Sequence, residues 1–297
     1  MNKISVIVCS LNETLRNNLL QNIATTIGCD FEFLYEDNRE KNDGICFVYN
    51  RLARKAQGNF LCFVHEDVEF KTLHWGCVLK QFASNPNVGV IGMAGSPAVT
   101  GYIWWDQAFS YCKNTKPDND KILFGADAVF SKSLLLDGLF LFARKEVWSQ
   151  YPFDETVFQG FHLYDMDFSL SSGLKYQNYS CHSIDYIHFS EGNANQSYYE
   201  NLQKFNRKWV SLIPYSYDSA IEFDSFKAHY TGIKRIAQGL IFSLKKTIPY
   251  TIKYIYAIRK KYSFLIILIA IRYKIEYITG LYRYIYERYG QAKKSGN

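Results

Sequence analysis

The segment Phe63-Val64-His65-Glu66-Asp67-Val68 places three ionisable side chains directly after the apolar run Phe60-Leu61-Cys62-Phe63-Val64. Three such groups at the end of a buried strand are not buried cheaply. Either they are solvated at a rim or they hold a cation. A single carboxylate plus a diphosphate is a common way to hold Mg2+ or Mn2+, because the cation keeps several ligands from substrate and water. A second cluster, Phe161-His162-Leu163-Tyr164-Asp165-Met166-Asp167, supplies two carboxylates. On a helix Asp165 and Asp167 diverge by about 200°, so they take different tasks. One can face a cleft as a general base toward a hydroxyl; the bland alternative is two acids that favour the helix dipole. His188, in Ile187-His188-Phe189, is a structural histidine or a ligand. Imidazole suits Mn2+ and other transition metals when a carboxylate supplies another site.

These residues need elements to hold them. Ile4 to Cys9 reads as a short buried strand, followed by a helix-like stretch to about Ile27 and a second strand from Phe31 to Tyr35. Residues 44 to 56 read as a helix closed by Gly58, Phe60 to Val64 as a third strand, Leu73 to Ala83 as a helix, and Val88 to Met93 as a strand. Strands alternating with helices predict an α/β fold with a mainly parallel sheet flanked by helices. Ligands in such sheets bind at the carboxyl ends of the strands, which puts Ser10, Glu36, His65 to Asp67 and Gly95 on one rim. From Ser96 to Ser133 the pattern breaks down into a long segment carrying Trp104 and Trp105, and a loop this long in a compact domain is usually functional. Order returns with Leu134 to Ala143, a helix from Phe161 to Leu174, extended chain from Tyr176 to Phe189, and a helix from Tyr198 to about Val210.

Composition divides the 297 residues differently. From Tyr230 onward there are 14 Lys/Arg against Glu276 and Glu287, a net of +12, whereas the first 229 residues carry a net of −6. Residues 1–225 therefore read as an acidic body and 226–297 as a basic, Tyr-rich, amphipathic helical tail. In the tail Arg272, Glu276, Arg283 and Glu287 share one helical face. Its longest uncharged apolar run, Phe264 to Ile271, is far short of the roughly 20 residues that span a bilayer. An in-plane helix on an anionic membrane surface fits that pattern; packing on the body or formation of a homodimer is the alternative, and nucleic acid is not expected. The seven cysteines form no CxxC pair, and no signal-peptide pattern precedes the first strand. The expectation is a cytoplasmic protein with reduced thiols, peripheral on the inner face of the cell membrane.

The order of these pieces resembles the family 2 glycosyltransferases with the GT-A fold, especially a bacterial subgroup whose metal motif reads His-Gln/Glu-Asp. The resemblance rests on Ile4 to Cys9, Tyr49-Asn50, Ala56 to Phe60, Phe63 to Val68, Asp137 to Arg144, Phe153-Asp154-Glu155 and Gly160 to Asp167, and ends near His188. It implies that Asp67 binds a Mn2+ or Mg2+ ion bridging a nucleotide diphosphate, with His188 as a further metal or diphosphate contact. It also implies that Asp165 is the base of an inverting transfer. Ser10, Asn12 and Glu13 would lie at the nucleotide base, Glu36 or Asp37 after the second strand, and Asn50, His65 and Glu66 around the donor. His65 stands where the family has Asp, and Tyr164 where Glu is common. The implied partners are a nucleotide-sugar donor and a glycan or lipid-linked acceptor in bacterial surface polysaccharide synthesis.

Two other classes compete. A nucleotidyltransferase shares the sheet and the metal logic but needs a Gly-rich basic phosphate loop, which Ser10-Leu11-Asn12-Glu13 does not offer. A non-catalytic nucleotide-sugar or glycan-binding protein would keep the fold without the chemistry. Donor hydrolysis or transfer separates it from the enzymes.

Overall fold

Strand β1 (Ile4–Ser10) is apolar on both faces, so both must be covered. Asn12 caps helix α1 (Glu13–Thr26), its side chain accepting from the Leu15 amide. Strand β2 (Phe31–Asp37) and helix α2 (Ile45–Lys55) follow, then β3 (Phe60–Val64), buried at every position. The chain continues through β4 (Val68–Phe70), α3 (Trp75–Ala83), β5 (Val88–Gly92), β6 (Ala94–Ser96) and β7 (Ala98–Val99). Next come β8 (Tyr111–Thr115), β9 (Lys121–Phe124), β10 (Phe130–Ser133), β11 (Leu135–Leu136) and β12 (Phe140–Arg144). Helices α4 (Lys145–Gln150) and α5 (Tyr164–Gly173), strands β13 (Gln177–Cys181) and β14 (Tyr186–His188), helix α6 (Gln196–Lys208) and strand β15 (Tyr215–Ser216) complete it. This computed structural model describes residues 3–99, 111–115, 121–124, 128–190, 196–213 and 215–218.

The main sheet has seven strands in the order β10-β13-β5-β12-β3-β1-β2. Strands β2, β1 and β3 are parallel, β12 runs antiparallel to both β3 and β5, and β13 is parallel to β5. The expected α/β architecture is present, with β10 and β12 as its antiparallel members. Alternation along the strands feeds two cores. Ile7, Leu61, Phe63, Leu141 and Ala143 pack with residues of α2, α4, α5 and α6, including Tyr49, Trp148, Phe168 and Phe205. On the opposite face Val6, Val8, Cys62, Val64 and Phe142 pack with Leu19 and Ile23 of α1 and Trp75 and Leu79 of α3.

Several expected boundaries move. The segment 96–133 holds short strands rather than one loop, and β11, β6, β8, β14 and β4, with β9 paired to β8, build a second sheet. The stretch 176–189 divides between the two sheets as β13 and β14. Gly95 lies inside the second sheet opposite Leu136, not on an open rim; a Cβ there would sit 2.3 Å from the Leu135 carbonyl oxygen. Helix α5 starts at Tyr164 because Leu163 takes a left-handed backbone, φ 66°, leaving Phe161 and His162 outside it. No disulfide joins Cys9, Cys29, Cys46, Cys62 or Cys77; Cys77 is exposed, and Cys46 and Cys62 are buried.

Trp104, Trp105 and the tail 226–297, with its amphipathic face, lie outside the described residues. The chain divides into two units, Met1–Ala228 and His229–Asn297. Among the described residues no helix is long and apolar enough to cross a membrane.

Candidate functional site

The carboxyl ends of β1 and β3 open onto the same edge, and His65, Glu66 and Asp67 occupy the turn that leaves β3. Strand β14 then brings His188 in. It runs antiparallel to β4, with His188 opposite Val68 and the Phe189 amide donating to the Asp67 carbonyl at 3.1 Å. His188 Nε2 thereby lies 3.5 Å from Asp67 Oδ1, with both side chains about 15% exposed (14% and 17%). One potential ligand atom from each of His65, Asp67 and His188 falls within 4.8 Å of the others.

The charges of this trio are mutually dependent. Burial opposes the charge of Asp67, but the hydrogen bond and charge of His188 outweigh it and hold the carboxyl well below the usual range. Burial likewise works against a charged His188, and the hydrogen bond and charge of Asp67 overcome it, raising its pKa. His65 is pushed down to about 4, first by burial and then by His188. One ionised carboxylate and two imidazoles offer a donor set that a divalent transition cation accepts.

Glu66 faces the other way. Its carboxylate accepts from Ser10 Oγ at 2.7 Å, the Leu11 amide at 3.0 Å and the Asn12 amide at 3.1 Å. Three donors on one carboxylate tie the β1–α1 turn to the His65–Asp67 turn.

On the far side of His65 lies the start of α5. Tyr164 Oη donates to the Gly138 carbonyl at 3.0 Å and stands 2.8 Å from His65 Nε2. Asp165, partly exposed, accepts from the Gly138 amide at 2.8 Å. Burial and the neighbouring Asp137 carboxylate raise Asp165 to about 7, against backbone hydrogen bonds that pull it down. Asp167 points elsewhere: it is buried and bonded to Lys208 Nζ at 2.8 Å and Trp209 Nε1 at 2.9 Å, fastening α5 to α6. The two acids of the cluster thus divide their work.

A family model described as "Glycosyltransferase like family" matches residues 5–202. The chain belongs to that family. Among solved structures, the crystal structure of GalNAc-T7 with UDP, GalNAc and Mn2+ is similar with a TM-score of 0.51 at 11% identity, over 88% of this chain and 58% of that one. At that identity the likeness shows the shared GT-A fold. S. aureus TarS 1-349 is similar at a TM-score of 0.47 and 13% identity, over 82% of each chain. No curated protein matches the sequence.

In this glycosyltransferase-like protein the remaining expected residues sort by what they touch. Ser10 is buried beneath Glu66, while Asn12 and Glu13 are exposed at the start of α1. Glu13 pairs with Arg16 at 3.4 Å. Glu36 and Asp37 end β2 beside Cys9 and Ser10; Arg51 and Lys41 hold Glu36, and Arg39 holds Asp37. Asn50 is a correction. It is 1% exposed and its side chain is spent inside the protein, donating to the Phe153 carbonyl and Glu155 and accepting from Trp148 Nε1 and the Phe153 amide. A donor contact would need a free polar atom that Asn50 lacks. Glu66, partly exposed, turns its carboxylate to the Ser10–Asn12 turn.

Asp137 is a site residue that the sequence does not single out. Its carboxylate accepts from the Leu139 amide at 2.9 Å, and its charge acts on His65, His188 and Asp165 together. The signal available was its place directly before Gly138, at the end of a short apolar strand and ahead of another.

Proposed function

We propose that this protein is an inverting, metal-dependent glycosyltransferase that moves a sugar from a nucleoside-diphosphate sugar to a hydroxyl of a glycan or lipid-linked acceptor in bacterial surface polysaccharide synthesis. The observation that carries the reading is the convergence of His65, Asp67 and His188 at the carboxyl ends of the parallel strands, linked to Asp165 by three hydrogen bonds through Tyr164 and Gly138.

His65, Asp67 and His188 would hold Mn2+ or Mg2+. A cation bound there supplies Lewis-acid stabilisation of the departing nucleoside diphosphate. Asp165 takes the proton from the acceptor hydroxyl, which attacks the face of the sugar opposite the leaving group. A carboxyl raised to about 7 matches that task, since a general base works best with a pKa near the operating pH. The Ser10–Glu13 turn and the Glu36–Asp37 end of β2 border the place for the nucleoside. Residues 226–297 hold the protein on the inner, anionic face of the cell membrane, where a lipid-linked acceptor would be found.

Calorimetric titration with a panel of nucleoside diphosphates, with and without Mn2+, tests the site. At least one should bind, and bind tightly only with the metal; no binding in any combination would refute it.

A further inference from the structure

His65 and Tyr164 each depart from the residue type that the family resemblance leads one to expect, and the two departures touch each other. The Tyr164 ring is fixed: it is 3% exposed and sits against Tyr49 and Phe153, with ring centres 5.8 and 5.9 Å away. Its hydroxyl is fixed too. Gly138 lets it approach, because a Cβ at that position would lie 2.3 Å from Tyr164 Oη. A phenol hydroxyl has one proton. With that proton donated to the Gly138 carbonyl at 3.0 Å, the contact with His65 Nε2 at 2.8 Å is completed by an imidazole that donates. A neutral His65 with its proton on Nε2 keeps its lone pair on Nδ1.

We propose that Tyr164 is a positioning residue that locks His65 into its Nε2–H tautomer, so that Nδ1 is the atom offered to the divalent cation shared with Asp67 and His188. The inference rests on the metal-dependent reading above and assigns a cause to the orientation of one ligand. Partners that orient a metal-binding histidine typically change metal affinity 10–100-fold when removed. Tyr164 acts through His65 and touches neither the reacting sugar nor the leaving group.

The test is imidazole 15N NMR on the metal-free protein, with Mn2+ affinity measured by EPR, for the wild type and Tyr164→Phe. Phe keeps the ring packing and removes only the hydroxyl. The wild type should show His65 protonated at Nε2. In Tyr164→Phe, that tautomer should give way toward Nδ1–H, and Mn2+ should bind roughly 10–100-fold more weakly. Thermal unfolding confirms that the variant is folded. A wild-type Nδ1–H tautomer, or an affinity in Tyr164→Phe within about twofold of wild type, would overturn the inference while leaving the metal reading intact. A wild-type protein that binds no Mn2+ would overturn both.

Discussion

His188 Nε2 and Asp67 Oδ1 lie 3.5 Å apart because β14 pairs antiparallel with β4, a contact between distant parts of the chain. Each group shifts the other: the carboxyl is held low and the imidazole is raised. In the metal-free protein Asp67→Ala should therefore drop the His188 pKa below the ordinary 6.5, since burial then acts unopposed by that carboxylate. NMR titration of His188 reads the shift directly. A value that stays raised would mean that another group supports the charge.

Two of the three potential ligands are imidazoles, which suit Mn2+ better than Mg2+, a cation that prefers oxygen and gives up its waters reluctantly. Mn2+ should bind about tenfold or more tightly than Mg2+ in direct competition. His188→Asp, which replaces a nitrogen by an oxygen ligand, should narrow the gap. Equal affinities in the wild type would contradict the assignment of the nitrogen ligands.

Asp165 ties activity to stability. Its folded pKa of about 7 lies above its ordinary 3.8, so the folded state holds the extra proton between those values. Stability from this group is thus complete below about pH 4 and falls as pH rises through 7. Asp165→Asn should match the wild-type melting temperature at pH 4 and exceed it at pH 8, while abolishing transfer. In the wild type kcat/KM should rise through about pH 7 as the base ionises. A variant less stable than wild type at pH 8 would argue against a strained, functional carboxyl.

Asn50 is placed as a structural node, and its substitution separates that role from donor binding. Asn50→Ala strands Trp148 Nε1 and the Phe153 amide without their acceptor. The cost should be about 3 kcal/mol in urea unfolding, from buried groups left unpaired. Nucleotide affinity of the folded protein should be unchanged; a large loss of affinity would restore the ligand role.

The strands and helices around the site were legible because their signals are local. Ile4 to Cys9 and Phe60 to Val64 are buried runs bounded by turn residues, and the carboxyl-end rule then placed His65 to Asp67 on the rim. What pairing decides was not legible. The spacing of residues 176–189 shows extended chain, but not that β13 joins one sheet and β14 the other, and only the second fact sets His188 beside Asp67. Asn50 and Glu66 are polar residues near the right segments, and sequence does not reveal which way a polar side chain turns. Both turn toward protein partners. Tyr164 shows the same limit: in sequence it is a departure from a pattern, whereas in the structure it contacts the other departure.

The central claim is sugar transfer from a nucleoside diphosphate at the His65–Asp67–His188 site. Release of nucleoside diphosphate from a panel of nucleotide sugars, by purified protein with Mn2+ and candidate acceptors, tests it most directly. The account predicts turnover of at least one donor that stops on chelation, and falls by 100-fold or more in both Asp67→Ala and Asp165→Asn, about the loss of a general base. Turnover that persists in either variant would contradict it.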